Sequence, residues 1–509
     1  METEKTKHSI WWLILILVLG LALRFYELGT ESYWIDEMST VLEGQQSIPR
    51  ILSSGRLDQP PGYYLPFHFW EKIFGPGEVA TRSFSALIGI ASIFLLFLVG
   101  RLLFGEAVGL MSAFFMAISQ LQVYHSQIAR FYGFFQFTAL LSFLFFILAL
   151  RDRKRIHFLL YGIAGVLMLY SNPFGIFILA AQNLFFILQV KRYGKVIMTW
   201  LVSQLVIVFS FAPYFYPLAF GESRLGGAVS ANIGNLSAPS VVDPFRSVYL
   251  FLLSARRDRD WKPILINYAV AGIFLLAGFL VYRLWRAKGR GVAAVGREAA
   301  DLRPGPEVKN KLLLISCWLF CPIILPFIFS ILFIPIYQDY YTISAAPAAY
   351  LLLAAALFTA RKRLPLIISL GTLLIMIVPG LGNYYIEDIN APWEKVAGYV
   401  EANSKPNDAI VFAPNEGSRN IQQTTFNWYY EGSLPGCGLT KEVKDMRENL
   451  LQCISGHDRF WVIMNATPEI IDRFQSFILH GIQDGMVLIK EKTFMKIYVY
   501  LYEIKKRKG

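Results

Sequence analysis

Asp36 and Glu37 stand side by side in Tyr33-Trp34-Ile35-Asp36-Glu37, and Asp58 opens Asp58-Gln59-Pro60-Pro61-Gly62-Tyr63-Tyr64. A carboxylate packed among Trp and Tyr loses water, which disfavours its charged form and suits it to take a proton from a reacting hydroxyl or amine. An acidic pair is also how a solvated loop or the first turn of a helix is written. It can equally hold a hard divalent ion. Basic and polar counterparts follow: Arg82 in Glu78-Val79-Ala80-Thr81-Arg82, and His125, Gln127 and Arg130 in Tyr124-His125-Ser126-Gln127-Ile128-Ala129-Arg130-Phe131-Tyr132. Arginine suits bidentate contact with a phosphate, and it also snorkels at membrane interfaces. His125 is a proton carrier, a metal ligand or a hydrogen-bonded packing residue, and no metal is assigned.

The elements that position these residues are membrane spans. The chain has 509 residues, 55% apolar and only 17% charged, against about 25% charged in a typical soluble protein. Mean hydropathy is +0.45. Such a chain is neither disordered nor an ordinary soluble enzyme. The net charge of +12 does not imply nucleic acid, because the basic residues form short runs between apolar stretches, as membrane orientation signals do. No nucleic-acid partner is expected.

About eleven stretches have the length and apolarity of spans: Ile10–Leu23, Phe84–Leu103, Ala107–Val123, Phe134–Leu150, Phe158–Tyr170, Phe174–Val190, Val196–Phe220, Ile264–Leu284, Leu312–Ile334, Ile343–Thr359 and Leu364–Leu381. The first reads as an uncleaved span, since Arg24-Phe25-Tyr26-Glu27 follows it in place of a small-residue cleavage site. Phe158–Tyr170 and Phe174–Val190 read as two crossings, because the basic runs 151–155 and 191–195 that flank them belong on one side. With the N-terminus inside, the runs at 151–155, 191–195, 283–311 and 361–363 all fall on the cytoplasmic side. Segments 25–83, 124–133, 221–263 and 335–342 fall outside, as does the C-terminus. The expected domains are a transmembrane domain, 1–381, with its first outer loop at 25–83, and a soluble extracytoplasmic α/β domain, 382–509. In the latter, 408–413, 460–464 and 495–502 read as strands and 393–401 as a helix. Cys437 and Cys453 can pair if that domain is outside the cytoplasm. Cys317 and Cys321 lie inside a span.

The loop resembles the lipid-linked-sugar glycosyltransferases of the GT-C superfamily, nearest the protein O-mannosyltransferase-like and aminoarabinose-transferase-like group of glycosyltransferase family 39. The family pattern Trp-x-Asp-Glu stands here as Trp34–Glu37. Asp-x-His-Pro-Pro-x-Tyr-Tyr stands as Asp58–Tyr64, Glu-x-x-x-Arg as Glu78–Arg82, and the segment after the third span as Tyr124–Tyr132. Tyr384–Lys395, with Trp393-Glu394-Lys395, adds a last likeness. Three positions depart: Gln59 replaces His, Ile128 replaces Glu, and Tyr340-Tyr341 replaces an Arg-Tyr before the tenth span.

The resemblance implies a GT-C fold in the plasma (inner) membrane and a polyprenyl-phosphate sugar as donor, its tail in membrane lipid. It implies an extracytoplasmic acceptor (protein, lipid or envelope glycan), inversion at the anomeric carbon, and no required cofactor, with a divalent cation on Asp36-Glu37 as an option. Asp36 is the expected general base and Asp58 the next candidate, with Glu37 assisting. Gln59, Tyr63, Arg82, His125, Gln127, Arg130, Tyr340 and Tyr341 are the expected substrate contacts. The alternative is a transporter or flippase of a lipid-linked glycan. Against it, the spans are nearly free of central charges and no internal repeat is found.

Overall fold

In the computed structural model the described residues are 2–53, 60–220, 238–252, 306–358, 363–386, 389–413, 421–439, 443–465 and 486–504. The expected span Ile264–Leu284 lies outside them, as do Asp58 and Gln59. The chain divides into two units, one of Met1–Leu28 with Glu43–Ile386 and one of Gly29–Leu42 with Glu387–Gly509.

Among the described residues of the first unit, five helices are long and apolar enough to cross a membrane: Glu78–Phe104, Phe131–Asp152, Val190–Tyr214, Glu307–Leu332 and Asp339–Leu357. A bent pair, Glu106–Ile118 and Gln120–Ser126, makes a sixth if counted as one span. Shorter apolar helices cover Ser9–Phe25, Arg155–Ser171, Gly175–Leu188 and Leu373–Ile386. The stretches Phe158–Tyr170 and Phe174–Val190 fall on two separate helices, Arg155–Ser171 and Gly175–Leu188, the latter ending just before Val190. Pro173 has no N–H to continue a helix, and Asn172 turns the chain by accepting the Phe174 N–H at 2.8 Å. Ala107–Val123, in contrast, is not one straight span: it bends by 64° at Ser119.

Helices in lipid are joined by close packing of small residues and by polar side chains, and both devices are present. A Cβ on Gly100 would lie 2.7 Å from the Gly109 Cα, so helices Glu78–Phe104 and Glu106–Ile118 meet backbone to backbone. Further along, the Tyr161 hydroxyl donates to Gln182 (3.0 Å) and accepts from Gln204 (3.1 Å), while Gln182 donates to Ser142 (3.0 Å). Trp318 stacks on Phe143 at 3.8 Å and donates to the Ser344 carbonyl at 2.8 Å.

Among the described residues, the second unit forms a five-stranded sheet with helices on both faces. Its strands are β1 Asp408–Phe412, β2 Gly436–Gly438, β3 Arg459–Asn465, β4 Met486–Phe494 and β5 Ile497–Ile504, in the order β2-β1-β3-β5-β4. The β2, β1 and β3 strands run parallel, and β5 and β4 continue antiparallel. Alternate residues of β1 and β3 enter two cores. Val411, Phe460 and Val462 pack with Leu450 and Ile454 of helix Val443–Ile454. Ile410, Trp461 and Ile463 pack with Trp393, Val396 and Phe426 from helices Trp393–Asn403 and Ile421–Tyr429. Burial on both faces explains why β1 and β3 read as unbroken apolar runs. Cys437 in β2 and Cys453 in helix Val443–Ile454 form a disulfide, with Cα atoms 5.8 Å apart.

The sequence reading keeps all of 25–83 with the membrane domain, whereas contacts group Gly29–Leu42 with the C-terminal unit. Packing is the cause. Tyr33, Met38 and Val41 are fully buried in a cluster with Ile421 and Tyr429. The Glu31 carboxylate accepts the N–H groups of Ile389 (2.6 Å) and Asn390 (3.3 Å), Ser32 accepts that of Glu394 (3.1 Å), and the Tyr33 N–H donates to the Tyr429 hydroxyl (2.7 Å).

Within the sheet, Asp408 and Arg459 face each other in register. The Asp408 carboxylate accepts from Arg459 Nε (2.9 Å) and Nη2 (2.6 Å), from Trp461 Nε1 (3.2 Å) and from the Lys405 N–H (2.9 Å). Removing one partner of a buried pair strands the other. Asp408→Ala should therefore destabilise this unit by about 3 kcal/mol, read as a lower melting temperature of the intact protein by near-UV circular dichroism. Unchanged melting would show that the pair is no anchor.

Candidate functional site

Several of the expected substrate contacts meet on one ring, Tyr132, in the first turn of helix Phe131–Asp152. Arg130 precedes this helix in an extended conformation (φ −138°, ψ 154°), which lays its guanidinium 5.1 Å from the Phe131 ring centre and 5.7 Å from that of Tyr132. The His125 ring lies 5.2 Å from Tyr132, edge to face, and 5.0 Å from Tyr124. Tyr340 and Tyr341 approach Tyr132 at 5.1 and 6.0 Å from the 3-10 turn Asp339–Ala345. Phe174 stacks on Tyr341 at 4.5 Å. Asp339, without a role in the sequence reading, pairs with Arg246 at 3.3 Å and so ties the tyrosine turn to helix Asp243–Leu252.

His125 and Arg130 are both more than nine-tenths buried. His125 Nδ1 has no hydrogen-bond partner in the structure. A guanidinium on aromatic faces, an imidazole with an open nitrogen and two phenols in a place poor in water are suited to receive an oxyanion such as a phosphate.

Gln127 does different work. Its amide donates to the carbonyls of Leu23 (3.3 Å), Arg24 (3.3 Å) and Tyr26 (2.8 Å), and its oxygen accepts the Tyr384 hydroxyl at 2.6 Å. These bonds clamp the ends of helices Glu2–Phe25 and Arg363–Ile386 to the segment that carries His125 and Arg130. Tyr385, hydrogen-bonded to the Leu23 carbonyl, reinforces the clamp.

Arg24 completes it. Fully buried, it donates to Ser126 Oγ (3.1 Å) and to the carbonyls of Gly20 (3.2 Å), Ala117 (3.1 Å) and Met116 (3.2 Å). Met116 and Ala117 end the helix that breaks at Ser119, where carbonyls lack intrahelical partners. Sequence reasoning uses Arg24 only to exclude a cleavage site. An arginine directly abutting the apolar run was the available signal for a buried role.

Tyr63 is fully buried in helix Pro61–Phe74. Its ring stacks on Phe67 at 5.4 Å and meets Phe131 at 6.4 Å and Phe134 at 5.9 Å, which links it to the Arg130 cluster through Phe131. A Cβ on neighbouring Gly62 would come within 2.6 Å of the Tyr170 backbone, so this position needs glycine for close approach. Gly62 and Leu65 also border an apolar cavity of about 660 Å³, walled by Phe158, Ile163 and Val206 and edged by Arg155. Arg82 is buried on helix Glu78–Phe104 and donates to the Leu28 carbonyl at 3.1 Å.

Asp36 and Glu37 belong to the other unit. They occupy the first turn of helix Ile35–Gly44, Asp36 half-buried and Glu37 fully buried, where the helix dipole favours negative charge. Asp58 and Gln59 are outside the described residues. Among the described residues, no three His, Cys, Asp or Glu side chains are grouped to hold a metal ion.

Residues 58–216 match the family described as dolichyl-phosphate-mannose-protein mannosyltransferase. An uncharacterized protein of Aquifex aeolicus (strain VF5) is 27% identical over 209 residues, which is 37% of this chain and 42% of its own, so the chain aligns with less than half of that relative. Among solved structures, ArnT from Cupriavidus metallidurans bound to undecaprenyl phosphate matches with a TM-score of 0.58 at 13% identity, over 96% of this chain and 98% of its own. The oligosaccharyltransferase AglB from Archaeoglobus fulgidus, in complex with an inhibitory peptide and a dolichol-phosphate, matches with a TM-score of 0.51 at 13% identity, over 97% of this chain and 74% of its own. The chain therefore shares the overall fold of ArnT and AglB.

Arg24→Ala should remove the cap of the broken helix and destabilise the protein by about 3 kcal/mol or more, since it leaves several buried acceptors unpaired. Thermal unfolding in detergent checks this, and a melting temperature within error of wild type would dismiss the cap.

Proposed function

We propose that the chain is a polytopic glycosyltransferase that moves a sugar from a polyprenyl phosphate to an extracytoplasmic acceptor, with inversion at the anomeric carbon. The observation that carries this reading is the gathering of Arg130, His125, Tyr340 and Tyr341 on Tyr132 within a fold shared by proteins solved with undecaprenyl phosphate and dolichol-phosphate. Such a donor has an anionic head and a tail that lives in lipid. The Tyr132 cluster suits the first, and the apolar cavity beside Gly62 suits the second.

In the proposed step, Asp36 takes the proton of an acceptor hydroxyl or amine as its oxygen or nitrogen bonds to the anomeric carbon. The bond from that carbon to the phosphate oxygen breaks, and its electron pair leaves with the polyprenyl phosphate. Arg130 and Arg82 supply positive charge for the departing phosphate. His125 Nδ1 supplies a further donor, and Tyr63 shapes the head-group site. Asp58 is the second candidate base or orients the acceptor, with Gln59 beside it. Glu37 assists by a hydrogen bond or by holding a divalent ion with Asp36.

The proposal takes the four shorter apolar helices and residues 264–284 as spans too, giving about eleven, with the N-terminus in the cytoplasm and the C-terminal unit outside. The Cys437–Cys453 disulfide supports that side, because disulfides persist in oxidising compartments. The basic run at 151–155 supports the opposite side for the loop it occupies.

The test is transfer from a panel of radiolabelled polyprenyl-phosphate hexoses, pentoses and amino sugars to envelope acceptors by the purified protein in vesicles. Asp36→Asn should lower transfer by roughly 10²- to 10⁴-fold while the protein still purifies folded. Arg130→Ala should lower it by about 10²-fold or more. Movement of intact donor across the bilayer without release of polyprenyl phosphate would replace the transferase by a transporter. Full activity of Asp36→Asn would remove Asp36 from the mechanism.

A further inference from the structure

Glu71 is a buried acid that the proposed chemistry does not use. It continues the stripe Tyr63–Phe67–Glu71 along helix Pro61–Phe74 and is only 5% exposed. Its Oε1 accepts from Gln45 Nε2 at 2.9 Å, and its Oε2 has no hydrogen-bond partner in the structure. One turn earlier, His68 Nδ1 donates to the Gly44 carbonyl at 2.7 Å. Gly44 ends the helix whose first turn carries Asp36 and Glu37. A Cβ on Gly44 would collide with Glu71 Oε2, so glycine is what allows the carboxyl group to press against this helix end.

That placement is electrostatically adverse for a carboxylate. A helix C-terminus presents unpaired carbonyls and a partial negative charge, so an ionised Glu71 is repelled and a neutral one is not. Burial acts in the same direction and pushes the group up from 4.5 to about 7, opposed only by the Gln45 hydrogen bond. The ionisable residues on its own helix and on the elements packed against it include His68, Lys72, Glu43, Arg50, Glu78, Arg82, Arg130 and Arg155. None of them forms an ion pair with Glu71 in the structure.

We propose that Glu71 is a proton-sensing positioning residue: neutral, it lets the end of helix Ile35–Gly44 seat on helix Pro61–Phe74, and ionised, it loosens that seat. The Glu43-Gly44 end of that helix is then held most firmly when its surroundings are acidic. The consequence for catalysis rests on the proposed function, whereas the seating itself does not. The sign follows from linkage. The carboxyl group titrates near 7 when seated and near the ordinary value when released. Seating is strongest below about 4.5, weakens by about tenfold per pH unit from there to about 7, and is constant above.

Hydrogen–deuterium exchange of the intact protein in detergent, corrected for intrinsic rates, measures the opening of the segment 43–46 between pH 5 and 8. Wild type should open about tenfold more for each pH unit up to 7. Glu71→Gln, neutral and of equal size, should show no slope, and Glu71→Asp should restore one. A wild type without the slope, or a slope that survives in Glu71→Gln, overturns the proposal. The pH profile of transfer gives the catalytic counterpart: its dependence between pH 5 and 7 should flatten in Glu71→Gln. Since exchange needs no substrate, a protein that moves intact donor without releasing polyprenyl phosphate would defeat the transferase reading and leave the exchange slope standing.

Discussion

The membrane unit depends on one buried cation. Arg24 sits at the end of the first apolar helix with no exposed surface, and its guanidinium is fully engaged by Ser126 and by the carbonyls of Gly20, Met116 and Ala117. In lipid, a helix cannot simply stop, because each unpaired carbonyl costs several kcal/mol and no water is there to meet it. Glu106–Ile118 does stop, at Ser119, and turns by 64°. Arg24 makes the break tolerable on one side. On the other, Ser119 donates to the Phe251 carbonyl and accepts the Tyr350 hydroxyl. A charge that would be expensive alone and a helix end that would be expensive alone satisfy each other. Gly89 leaves the room for this: a Cβ there would run into both Ser126 and Arg24.

The bend in turn sets the direction of the short helix Gln120–Ser126, and hence of His125, Gln127 and Arg130. Gln127 binds the ends of helices Glu2–Phe25 and Arg363–Ile386, so the basic segment is held from two sides before any substrate arrives. Preorganised donors need no rearrangement when charge develops in a reaction. In the proposed reaction, the cluster of Arg130, His125 and tyrosines would meet the leaving phosphate already in place.

Much of this was legible in the residues, and the limits have physical causes. Apolar length gave the helices, and charge runs correctly divided 156–190 into two, since both signals are local. The strands β1, β3 and β5 were readable because central strands are apolar throughout or alternate cleanly. The β4 strand, mostly exposed, and the three-residue β2 carry no such pattern. Pairings between distant segments were the hidden part. Nothing in a local window tells that Arg24 caps Met116, that Gln127 engages helices Glu2–Phe25 and Arg363–Ile386, or that Asp339 meets Arg246. The grouping of Gly29–Leu42 with the C-terminal unit has the same origin, since it rests on Glu31, Ser32 and Tyr33 finding partners more than 350 residues away.

The motif Pro60-Pro61-Gly62-Tyr63-Tyr64 shows how a short segment can serve both ends of one amphiphile. Pro61 at the start presets the first turn, and from there adjacent residues point about 100° apart around the helix. Gly62 and Leu65, three apart, border the apolar cavity. Tyr63 and Phe67, four apart, face the aromatic cluster that leads through Phe131 to Arg130. In the proposed reaction these two faces touch the lipid tail and the sugar-phosphate head respectively. A tight contact of Gly62 with the Tyr170 backbone fixes the rotation of the helix, and with it which residues fall on which face. Rotation by a single residue would turn Tyr63 into the cavity and away from the rings, so the glycine decides the placement of the tyrosine that follows it.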